Sequence, residues 1–178
     1  MTDLKNEGTQ AAGTKIRPFK KWSILLVLVL VATTAGAALA AGNDPRGHTF
    51  DDTFTKWLIT SPPAPGVVAN MIGVVGGDVG PGTYTGEVIS VNTVDNITSI
   101  HALYHFNGSK HAFTAELNVT QDESAGTATI TGHVTDGWLK GASVTGEYKV
   151  LAVCPVDTTD NAYGTLCFQG ALHVHVPK

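Results

Sequence analysis

From residue 126 to 150 the chain alternates apolar and polar side chains with a period of two, and glycine interrupts the apolar row. Ala128, Ile130, Gly132 and Val134 alternate with Thr127, Thr129, Thr131, His133 and Thr135, and Val144, Gly146, Tyr148 and Val150 alternate with Ser143, Thr145, Glu147 and Lys149. Successive side chains of a strand point to opposite faces, so the pattern requires two strands with one face on a core and the other in water. Asp136 and Gly137 are expected to form the turn between them.

The same glycine placement recurs. Gly86, Gly132, Gly146 and Gly170 each share a face with the apolar or aromatic residue two places earlier: Tyr84, Ile130, Val144 and Phe168. Glycine in mid-strand weakens an ordinary sheet, so its repetition points to sharp coiling, close approach of a neighbouring backbone, or volume left inside. The uneven spacing of the four excludes a solenoid repeat. A single antiparallel β-barrel of about eight strands is the simplest container, which makes the chain all-β. The low charged fraction, 15%, and the 20 glycines agree with strands and tight turns.

Strands are expected near residues 53–60, 67–75, 83–91, 99–106, 109–120, 127–135, 143–150 and 166–176. Three prolines, Pro62, Pro63 and Pro65, end the first. Asn107-Gly108 is a strong hairpin signal, and a two-residue loop there sets Tyr104 opposite His111 and Ala102 opposite Phe113. The glycine-rich run from Gly76 to Gly82 lacks the Gly-Lys-Ser/Thr and the helix of a phosphate loop, and reads as a turn.

Ahead of these strands, Lys20-Lys21 precedes an apolar run that ends in Ala38-Leu39-Ala40. A basic flank, an apolar centre and an Ala-x-Ala end compose a secretory signal. The apolar stretch also matches the ~20 residues of a membrane span, so the alternative is an uncleaved anchor helix with the leader in the cytoplasm. Residues 1–40 are therefore signal peptide or anchor, 41–52 a linker, and 53–178 the barrel, outside the cytoplasm on either reading. Cys154 and Cys167 fit that address as a disulfide. Residues 1–40 hold five of the 11 basic residues and two of the 15 acids, which leaves the rest at −7. An acidic domain offers no footprint for a phosphate backbone, so nucleic acid is excluded as a partner.

The glycine-punctuated strands GTYTGEV, the hairpin GTATITGHVTDGWLKGASVTGEY and the closing CFQGALHV resemble the small β-barrels of the allene oxide cyclase and dirigent type, which are lipocalin-like in shape. That resemblance, over residues 53–176, implies a barrel with a cavity. Members of the group cyclise an unstable epoxide or guide radical coupling, and no catalytic residue of theirs transfers to a position of this chain.

Few chemistries have their residues. No G-x-S-x-G is present, and Glu87, Glu116 and Glu147 fall on the wet side of their strands, against hydrolysis by paired carboxylates. His101 and His105 share one strand face, as do His173 and His175; they are the candidate metal ligands, but wet-face exposure is the simpler reading, and no metal or cofactor is expected. Tyr104, His111, Trp138 and Tyr148 are the candidate ligand-binding residues. The expected function is a non-catalytic module that binds a small apolar or aromatic ligand. The alternatives are a cyclase-like or isomerase-like enzyme and a structural or adhesive cell-surface domain.

Overall fold

The computed structural model describes residues 47–158 and 160–177; the expected export segment and the first part of the linker lie outside them. The described residues form eight strands: β1 (Gly47–Leu58), β2 (Ala69–Gly77), β3 (Gly82–Val94), β4 (Ile97–Gly108), β5 (Ala112–Asp122), β6 (Thr127–Gly137), β7 (Ser143–Leu151) and β8 (Cys167–Pro177). Each pairs antiparallel with the next, and β8 returns to β1, closing the barrel. Closure removes both sheet edges, so every strand finds two partners. The inward rows carry Phe54, Tyr84, Tyr104, Leu117, Ile130, Val144 and Leu172, all buried. Outward positions carry threonine, histidine, glutamate and lysine, the reverse of a barrel whose outer wall meets lipid.

β1 begins at Gly47, inside the stretch expected to be a linker. The polar residues of that stretch hide a strand because most of its early positions are exposed, while Asp52 is buried with 0% exposure. Two turns also lie elsewhere than the dipeptides indicated. Asn107 pairs with Ala112, and Tyr104 faces Ala115, so four residues, Gly108 to His111, separate the last paired positions of β4 and β5. It is pulled open by backbone bonds to the β2–β3 turn: Lys110 N–H and His111 N–H both donate to Val79 O, at 2.9 and 3.2 Å. The shift is even, so every side chain keeps its expected face. In β6, Asp136 and Gly137 continue the strand against Thr114 and Phe113, and the reversal to β7 falls at residues 138–142.

The four repeated glycines answer the question their pattern raised. A Cβ at Gly132 would strike Glu116 O and approach Leu117 Cα to 3.0 Å, and Gly146 and Gly170 are likewise pressed against the backbone of the neighbouring strand. Gly86 differs: its missing side chain makes room for the Tyr84 hydroxyl and Met71 Cε. Three glycines thus permit close strand approach, and the fourth accommodates an interior phenol.

The barrel is plugged at one end. Val79, from the turn after β2, is fully buried beside the stacked pair Phe106 and Phe113, whose ring centroids lie 4.8 Å apart. The other end carries the β1–β2 and β7–β8 loops and stays open. Gly132→Ala is expected to destabilise the fold by about 3 kcal/mol, since backbone must move, whereas Gly86→Ala meets movable side-chain ends and costs less; urea denaturation of the two variants checks the order.

Candidate functional site

β1 delivers one lysine to the interior. Phe54, Lys56 and Leu58 share the inward face, while Trp57, also buried, takes the other. Lys56 is 3% exposed, and no described carboxylate forms an ion pair with it. Its Nζ donates to Tyr104 Oη and lies 4.0 Å from the Tyr104 ring centroid, 4.7 Å from that of Tyr148 and 5.3 Å from that of Phe54. Burial alone pushes its ammonium well below the usual lysine range, because an ion without a counter-ion or water loses its solvation.

The phenols around it shift the opposite way. Burial raises Tyr84, with Tyr104 adding to the effect; burial also raises Tyr104, helped by Tyr148; and Tyr148 is raised by burial and by the neighbouring Glu123 charge. The site therefore weakens the hold of the amine on its proton and strengthens that of the surrounding phenols. Tyr84 and Tyr104 meet edge to face at 5.1 Å, which fixes the Tyr104 ring beneath Lys56.

Above Lys56 a cavity of about 520 Å³ opens to the barrel mouth. Its walls are mostly aliphatic and aromatic, including Leu58, Val88, Ile100, Val150 and Phe168. One polar strip crosses it: Tyr148 Oη donates to Gln121 Oε1 at 2.5 Å, Gln121 Nε2 to Glu123 Oε2 at 2.9 Å, and Thr98 Oγ1 to Glu123 Oε1 at 2.7 Å. The β7–β8 loop forms part of the rim. Thr60 N–H donates to Asp160 O and Ala162 N–H to Leu58 O, at 3.1 and 2.8 Å, and the Cys154–Cys167 disulfide closes the loop. These ties hold Tyr163 and Leu166 at the mouth. A broader depression of about 690 Å³ lies on β5 to β8, lined by residues such as Thr129, Glu147 and Gln169. Much of its wall is the outward row of the sheet, and no buried titratable group other than Tyr148 borders it.

Of the four expected ligand residues, Tyr104 and Tyr148 line the cavity and the other two do not. His111 stacks on Trp138 with centroids 4.0 Å apart, and Trp138 meets Phe50 edge-on at 4.8 Å. Both stand by the plugged end, because the longer β4–β5 loop carries His111 past Tyr104 and the β6–β7 reversal places Trp138 beside it. The four candidate metal histidines have separate partners. His101 bonds Glu116 at 2.8 Å, His105 Thr114 at 3.0 Å, His173 Asp51 at 2.7 Å, and His175 both Thr49 and Thr145 at 3.1 and 2.9 Å. Among the described residues no three ligands gather for a metal.

Lys56 and Gln121 went unmarked in the sequence. The available signal for Lys56 was parity: it stands two residues from both Phe54 and Leu58, so it shares their face. Gln121 falls just past the strand expected over 109–120, but β5 runs through it to Asp122. Comparison with protein-family models, curated proteins and solved structures finds no match for the chain.

A second buried titratable group sits at the plug. Asp52 Oδ1 accepts from Val79 N–H at 2.8 Å, and Oδ2 has no partner among the described residues. Its carboxyl is pushed up to about 6 by burial, against the bond from Val79 and with help from Asp78 and Asp51. A folded-state value above the unfolded one means the folded chain binds the extra proton, so stability falls as pH rises from about 4 to about 6. The unfolding free energy from urea titrations is expected to decline across that window by no more than about 3 kcal/mol, and Asp52→Asn to flatten the decline.

Proposed function

We propose that this barrel is an exported binding module for a small, largely apolar ligand, taken in through the mouth and seated on the Lys56–Tyr104 floor. The supporting observation is the cavity of about 520 Å³, which exceeds the ~300 Å³ lower bound of ordinary ligand pockets. Apolar walls supply affinity, and the few polar groups at the floor and rim orient one polar end of the guest. A filled structural or adhesive barrel would have no use for such a space. Export is supported by the signal-like sequence of residues 1–40 and by the disulfide, which persists in oxidising compartments.

A second reading has its own support. Lys56, Tyr104 and Tyr148 converge inside the cavity, the minimum an enzyme would need, and this favours a cyclase-like or isomerase-like activity of the kind the allene oxide cyclase and dirigent resemblance implies. The binding reading is preferred because it requires only the cavity.

N-phenyl-1-naphthylamine, a neutral fluorescent probe, is expected to bind the full chain with enhanced emission. Val91 lines the cavity and is 48% exposed, so Val91→Trp narrows the mouth without touching the core. That variant is expected to bind at least about tenfold more weakly with an unchanged unfolding midpoint; equal binding would place the probe elsewhere.

A further inference from the structure

We propose that Lys56 is an amine nucleophile that captures a small apolar aldehyde or ketone as an imine at the floor of the cavity. This rests on the cavity being a ligand site and goes beyond it by naming the guest's reactive group.

Three features of the geometry support it. Lys56, though only 3% exposed, lines the cavity at its floor, beneath the space that a guest entering from the mouth would fill. It has no described carboxylate partner, and a lysine retained in an apolar interior only for stability would serve better as methionine or leucine. Its contact with Tyr104 sets a phenol directly against the amine, so a proton carrier stands beside the nitrogen. Burial reinforces the point. At pH 7 an ordinary lysine is neutral in only about one molecule in 2,500, whereas the shift of Lys56 enlarges that fraction.

The chemistry needs no co-reactant. The Lys56 nitrogen attacks the carbonyl carbon, the C–N bond forms, and the π pair moves to oxygen. A proton leaving nitrogen ends on that oxygen, giving a carbinolamine. The nitrogen then loses its second proton as the C–O bond breaks, and one water departs, leaving C=N. No external oxidant or reductant takes part. Tyr104 Oη, a phenol kept protonated and already touching Nζ, stands where a proton can pass to the departing oxygen. The apolar walls then protect the imine from the water that would reverse the step. The cavity's shape and the scarcity of charge in it select a carbonyl compound with an aliphatic or aromatic body over a sugar.

The test uses the full chain with cinnamaldehyde as probe and cinnamyl alcohol as its unreactive isostere. Sodium borohydride added at pH 7 reduces any imine to a stable amine, which adds the mass of the aldehyde less one oxygen. Peptide mapping is expected to place a single such adduct on Lys56 and to leave exposed Lys110, Lys140 and Lys149 unmodified. Lys56→Met is expected to lose the adduct. An adduct spread over the exposed lysines with Lys56 untouched, in protein that binds cinnamyl alcohol, overturns the imine and leaves the cavity reading intact. Failure of the wild-type chain to bind either compound overturns both. Mapping on the wild type distinguishes these outcomes even if Lys56→Met does not fold.

Discussion

Closure of β8 onto β1 is the constraint on which the rest of the structure depends. The two strands pair from Gly47 opposite Pro177 through Lys56 opposite Phe168, so the last strand supplies what the first would lack as an edge. An open sheet with the same alternation would leave its apolar face half exposed. The closed one turns that face into an interior, and the inward glycines Gly132, Gly146 and Gly170 let neighbouring backbones approach closely enough for the curvature.

Closure also decides the fate of every inward polar residue. A lysine on the concave side of a closed barrel cannot snorkel to solvent through a neighbouring strand, and Lys56 ends among Phe54, Tyr104 and Tyr148. Burial there makes charging it costlier than in water, so the same closure that builds the cavity lowers the proton affinity of the amine at its floor. The barrel divides its length accordingly. The plugged half is packed by aromatic rings and by Val79, whose N–H is taken by Asp52 and whose carbonyl is taken by the β4–β5 turn. The open half is kept unfilled, with its rim stitched by the β7–β8 loop. Packing in one half supplies the rigidity that holds the cavity in the other open.

The architecture was legible because period-two alternation is a local property: the inward rows of β4 to β8 are those that the sequence pattern indicates, down to the glycines. What was not legible depended on contacts distant in sequence. Asn107-Gly108 carries the signal of a two-residue turn, yet Val79, nearly thirty positions earlier, draws the next residues into a longer loop. The register expected from that turn set His111 beside Tyr104, and the Asp136-Gly137 turn put Trp138 at the rim; the two instead stack on each other at the plugged end. Asp52 was hidden by the polarity of its neighbours, which face solvent while it does not. Lys56 carried a readable signal in its parity with Phe54 and Leu58, outweighed by the usual preference of lysine for the surface.

The chemistry proposed for the cavity turns on the state of the Lys56 amine. Its ¹³Cε shift, assigned against Lys56→Arg and followed through a pH titration of the full chain by NMR, measures that state directly. A midpoint far below the ~10.4 of an ordinary lysine is the predicted result, with the Tyr104 ring resonances moving in step. Titration of Lys56 at the ordinary value would mean that water or a counter-ion stabilises its charge, and would contradict a nucleophilic floor.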